Sequence, residues 1–204
     1  MTAAPRMAGV LWLAAGLAYL AAETVAAMGF PQYDYARNYI SDLGVPELSP
    51  RAWLMNLGLV IDGTLYGIAA ILAVRAWRTG AWFLAAALCH AVGTVIVGTV
   101  HAGPLAAADG TLLWHVLGAG AAIIGGNLAS LITPGPPFIR SAGRILGWLG
   151  LASLVALESQ RLFGATFVAD GLLERGAVYP ITIWELVAGV TAFTGRLFVG
   201  QRRA

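Results

Sequence analysis

The chain has 204 residues, 59% hydrophobic and only 11% charged, with a formal net charge of +2. Soluble domains carry about 25% charged and 45–50% apolar residues, so this composition does not fit a water-soluble globule. Cys89 is the only cysteine, which excludes an internal disulfide and leaves the redox compartment open.

Apolar stretches long enough to cross a hydrocarbon core of about 30 Å predict membrane helices at about 7–29, 52–74, 81–101, 112–133, 142–163 and 178–199. The first run follows Arg6, but it exceeds the ~7–15 apolar residues of a signal segment and reads as a span. The expected fold class is an all-α integral membrane protein, a six-transmembrane-helix bundle. A single transmembrane domain fills residues 1–204, multi-pass in the cell membrane. Arg6, Arg75, Arg78, Arg140, Arg144, Arg196, Arg202 and Arg203 lie on one side of this arrangement. Only Arg37, Arg51, Arg161 and Arg175 lie on the other, and there is no lysine. The positive-inside rule then places both termini in the cytoplasm. The basic excess reflects topology, and no nucleic-acid partner is expected. Acids avoid the cytoplasmic loops: Asp34, Asp42, Glu47, Asp109, Asp170 and Glu174 fall in outer loops, and Glu23, Asp62, Glu158 and Glu185 within spans.

The first outer connection, residues 30–51, is dense in polar side chains. Asp42-Leu43-Gly44 reads as a turn, and Ser49-Pro50 as the cap and first residue of span two. Gly63-x-x-x-Gly67, Gly143-x-x-x-Gly147 and the glycines of span four predict close helix packing within one bundle; oligomeric state stays open.

Ionisable groups inside a span are costly and point to function. Glu23, Asn56 and Glu185 are expected within about two turns of the outer face, with His101 and His115 at span ends and Asp62 and His90 deeper. His90, Thr94, Val97 and His101 follow the i, i+4, i+7, i+11 rule and share one helix face. Glu158 and Arg161, three apart, can pair. A metal site on His101, His115 and Asp42, a haem between His101 and His115, and a proton relay through Glu23, Asp62, His90 and Glu185 are each conceivable. No motif supports the first two, so the cofactor is unknown and no metal ligand is assigned.

The segments "NYISDLG", "SPRAWLMNLGLVIDG", "HAVGTVIVGTV", "LWHVLGAGAAIIGGNLA" and "ITIWELVAG" resemble, over essentially the whole chain, a bacterial and archaeal membrane family catalogued as domain of unknown function 998. The resemblance marks Ile40, Ser41, Asp42, Leu43, Gly44, His115, Gly126 and Asn127. It carries no role to His101, because members often have Phe-Pro where this chain has Val100-His101. The "YISDLG" loop also distantly resembles a segment of the eukaryotic Frag1/DRAM/Sfk1 six-span proteins, some of which are tied to lipid remodelling.

The expected function is binding of a membrane lipid or other amphiphile in a polar cavity in the outer half, roofed by residues 30–51. Candidate ligand-binding residues are Arg37, Asn38, Ser41, Asn56, Asp62, His90, His101 and Glu185. Candidates for chemistry on the ligand are His115 as acid or base, with Asp42 or Glu23 orienting it. The alternative is a structural or transport protein whose buried polar groups specify packing or relay protons.

Overall fold

The computed structural model describes residues 3–77 and 80–194. Arg78, Arg196, Arg202, Arg203 and the end of the sixth predicted span lie outside the described residues. Among those described, the chain forms α1 (Ala3–Gly29), a 3-10 turn (Ser41–Gly44), α2 (Ala52–Trp77), α3 (Ala81–Thr99), a short α4 (Pro104–Asp109), α5 (Leu112–Leu131), α6 (Pro137–Phe163) and α7 (Asp170–Phe193). Among the described residues, the six helices other than α4 and the 3-10 turn are long and apolar enough to cross a membrane. The molecule is a six-span helical bundle.

Three local expectations change. The apolar stretch alone puts the start of the sixth span at about 178. Pro180 lies buried inside α7, and the helix starts instead at Asp170, whose acid suits a helix N-terminus. Asp170, Glu174 and Arg175, expected in a loop, are therefore helical. Ser49 does not cap α2 through its hydroxyl, which is buried without a partner. Backbone bonds turn the chain there: Val45 O accepts Ser49 N–H at 2.9 Å, and Ser49 O accepts Ala52 N–H at 3.1 Å. Finally, α3 ends at Thr99, where Val100 turns extended (φ −117°, ψ 104°), so His101 leaves the helix face it was expected to share.

The six spans form a closed ring in the order α1, α2, α3, α5, α6, α7, each packed on two neighbours. Backbone-on-backbone contact holds several seams. A Cβ on Gly93 of α3 would stand 2.4 Å from Ala122 N of α5 and 2.5 Å from Gly118 O. On α6, a Cβ on Gly143 would meet Ser130 O at 2.2 Å, and one on Gly150 would meet Asn127 Oδ1 at 1.9 Å. Such approach suits association in lipid, where close packing replaces the hydrophobic drive. Asn127 fixes that end of the ring by donating to Ala177 O of α7 at 2.9 Å.

The half of the bundle far from residues 30–51 is plugged by an aromatic cluster. Trp12, Tyr66, Phe83 and Trp184 are all essentially inaccessible, with Trp12 and Trp184 edge-to-face at 5.6 Å. The α5–α6 seam is the least extensively packed of the ring. Its close glycine contacts, at Gly143, Gly147 and Gly150, all lie in the N-terminal half of α6.

Candidate functional site

The roof, residues 30–51, is fastened by the first turns of α7. Gly171 lies against the roof backbone, where a Cβ would stand 2.4 Å from Asn38 O. Leu172 N–H donates to Ala36 O at 3.0 Å. One turn on, Arg175 is 5% exposed and donates to Tyr35 O at 2.7 Å, Asn38 O at 2.9 Å and Gly171 O at 3.2 Å. Its other terminal nitrogen reaches Glu23 Oε1 of α1 at 3.2 Å and the Tyr33 hydroxyl. Tyr179 donates to the same Glu23 oxygen at 2.9 Å. An anion and three carbonyls offset the cost of burying this arginine, and only its Nε–H is without a partner. The guanidinium also lies 4.7 Å from the Tyr35 ring centroid.

Two further clasps hold the roof. The Ile40 and Ser41 amides face Glu174. Tyr39 donates its hydroxyl to Asp170, while Arg161 of α6 sits 5.0 Å over its ring. Burial, and then the bond to Asp170, raise the Tyr39 hydroxyl above its ordinary value, which keeps it a donor. Gln160 completes the corner: its Oε1 accepts Phe167 and Val168 N–H at 2.8 Å, and its Nε2 donates to Asp170 at 2.9 Å.

Beneath the roof lies a cavity of about 450 Å³. Its top carries Ser41, Asp42 and His115, and its inner wall carries His90, Asp62 and Glu185. Apolar side chains such as Leu59, Ile123, Leu154 and Val178 supply most of the rest. Gly120 and Ile124 of α5 and Leu154 and Glu158 of α6 also line it, so the cavity reaches the loose half of the α5–α6 seam. A Cβ on Gly120 would meet nothing within 4 Å, and Val116 and Ile124 beside it are 55% and 44% exposed. The lining thus includes exposed side chains of both helices, Val116 and Ile124 on α5 and Glu158 on α6.

Both cavity histidines have a fixed tautomer. His90 Nδ1 lies 2.8 Å from Ala122 O and His115 Nδ1 lies 2.6 Å from Val100 O. A carbonyl only accepts, so each Nδ1 carries the hydrogen and each neutral ring keeps Nε2 as an acceptor. His90 packs edge-on to Tyr66 at 4.5 Å, which closes the cavity on the aromatic plug.

Of the candidates read from the sequence, Ser41, Asp42, Asp62, His90, His115 and Glu185 line this cavity. The other five lie elsewhere. Glu23 is held by Arg175 and Tyr179 between α1 and α7. Arg37 is 84% exposed and pairs with Asp34 at 3.7 Å. Asn38 closes the roof on itself by accepting Asp34 N–H at 2.9 Å. Asn56 donates to Gly44 O at 2.9 Å, which pins the 3-10 turn to α2. His101 lines a separate surface groove of about 460 Å³ beside Glu47 and Asp109. His101 and His115 thus face different spaces, and among the described residues no group of three or more His, Cys, Asp or Glu is placed to hold a metal ion. Asp42 accepts Tyr39 N–H at 3.0 Å, and the hydrogen bond that holds His115 runs from its Nδ1 to the Val100 carbonyl.

Sequence reasoning missed Arg175, Glu174, Asp170, Tyr39 and Gln160. The signal available was "DGLLERGAVY", in which Gly171, Arg175 and Tyr179 recur every four residues on one helix face.

No curated protein and no solved structure matches this chain. A family model described as "Protein of unknown function (DUF998)" matches residues 13–191, from within α1 to near the end of α7, which takes in the roof and every cavity-lining helix. The chain belongs to this family of membrane-spanning proteins of unknown function.

Proposed function

We propose that the protein binds a membrane amphiphile in the roofed cavity, admitting it sideways between α5 and α6. One observation carries this reading: a cavity of about 450 Å³ that is polar at its top and inner wall, apolar between, and lined at the loosest helix seam by exposed side chains of both helices. Ligand sites are mostly apolar clefts of roughly this size with a few convergent polar groups. An opening toward lipid rather than water suits a ligand whose chain stays in the bilayer. By the positive-inside reading of the arginines, this half is the outer one.

The competing reading is a proton relay or transport path. The plug of Trp12, Tyr66, Phe83 and Trp184 beyond the inner wall weighs against a path through the bundle. Chemistry on the bound amphiphile is the second reading, favoured by one feature: His115 lines the cavity with Nδ1 tied to Val100 O and an Nε2 lone pair left over. The test is His115→Ala, with co-purified lipid measured by mass spectrometry and stability measured separately. Binding predicts lower lipid content at nearly unchanged stability. Lost stability with unchanged lipid content sinks the proposal.

A further inference from the structure

Five carboxyl side chains line the cavity, Asp42, Asp62, Glu158, Glu174 and Glu185, against one arginine, Arg161. Three of the five have partners on the protein. Asp42 accepts Tyr39 N–H, Glu174 faces two roof amides, and Glu158 pairs with Arg161 at 3.0 Å. Asp62 and Glu185 are different. They are 6% and 2% exposed, they lie within hydrogen-bonding reach of each other, and no N–H or O–H of the described residues reaches the fully buried Glu185 Oε1. A hydrogen bond between two carboxyls needs a proton, so the pair by itself carries at most one charge. The other buried carboxylate among the described residues, Glu23, has a cation in Arg175. Among the described residues this pair has no cation.

Among the described residues, the arginines at this end of the bundle are committed or turned to solvent. Arg175 is taken up by Glu23 and backbone carbonyls. Arg37 points to solvent, and Arg51 donates to Val25 O at 2.8 Å. His90 and His115 offer acceptors when neutral. The cavity is rich in acceptors and poor in cations, so an anionic head would meet repulsion and a donor-rich cation would not.

Given the amphiphile reading above, on which this rests, we infer that the ligand's polar head is a protonated amine seated against Asp62 and Glu185, its chain leaving past Gly120 between α5 and α6. The levels agree. Asp62 is ten residues into α2 and Gly120 eight into α5, roughly 15 and 12 Å along their helices at about 1.5 Å per residue. An ammonium has three N–H donors, enough for both carboxyls and for one imidazole Nε2 or hydroxyl.

The test measures binding of hexadecylamine, hexadecanol and hexadecyl phosphate to the full chain in nanodiscs. It compares wild type, Asp62→Asn, Glu185→Gln, the double variant and Gly120→Trp, with melting temperature recorded for each. The amine is expected to bind wild type at least about tenfold tighter than the alcohol, as a charge-assisted hydrogen bond gives. That preference should vanish in the double variant, or in either single variant if the double does not fold, while alcohol affinity holds. Equal or tighter binding of the phosphate overturns the inference, as does an amine preference that survives both substitutions; the amphiphile reading survives either result. If none of the three binds in a way that Gly120→Trp abolishes, the amphiphile reading falls and this inference falls with it.

Discussion

Replacing Arg175 by Met tests the claim that one side chain fastens the roof to the bundle. The substitution keeps length and apolar bulk but removes the ion pair with Glu23 at 3.2 Å and the bonds to Tyr35 O, Asn38 O and Gly171 O. Glu23 is 2% exposed, so it would keep only the Tyr179 hydroxyl and stay buried without a cation. Stranding one partner of a buried pair costs about 3–5 kcal/mol. The Tyr35 and Asn38 carbonyls belong to a roof that can rehydrate, so the lower part of that range is expected. Glu23→Gln together with Arg175→Met removes the stranded charge and leaves mainly lost hydrogen bonds, about 0.5–1.5 kcal/mol each. The double variant should therefore be no less stable than Arg175→Met alone, with a coupling of about 1–3 kcal/mol. The assay is reversible unfolding in mixed micelles of wild type, both single variants and the double. Protease cutting within residues 30–51 should rise in Arg175→Met. Costs that add within about 0.5 kcal/mol, or a roof no more open to protease, would refute the reasoning.

The glycines give an internal contrast. Gly93→Ala drives a methyl into the α5 backbone and should cost about 1–3 kcal/mol, whereas Gly120→Ala meets nothing and should gain about 0.5–1 kcal/mol from helix propensity; the same unfolding assay reads both. Gly150→Ala collides with the Asn127 amide and should loosen the α5–α6 seam, seen as faster hydrogen exchange in α6. Gln160→Leu strips four hydrogen bonds from residues 167–170 and should cost about 2–4 kcal/mol, checked by thermal unfolding.

The bundle was legible because hydropathy alone decides whether a segment can leave water, and six segments had the length. The glycine seams were legible for a related reason, since small residues at helical spacing permit close packing wherever they fall. Helix ends were harder. The first two turns of α7 carry Asp170, Glu174 and Arg175, so an apolar run marks its start only at about 178 and leaves Arg175 in a loop. The cavity was half legible. His90, Asp62 and Glu185 stood out because lipid forbids them, but which carboxylate has a cation is a tertiary fact. Glu23 and Glu185 look alike in sequence and differ only in that Arg175 reaches one of them. His101 separated from His90 because α3 stops at Thr99, which no periodicity predicts.

The central claim is a lipid-facing entry into the roofed cavity, and photolabelling with a hexadecyl chain bearing a diazirine tests it most directly. In wild type, labels should fall on cavity-lining residues of 119–124 and 154–161, and they should disappear in Gly120→Trp at unchanged stability. Labels confined to the outer faces of the ring, such as Trp148 or Val155, and indifferent to Gly120→Trp would contradict it.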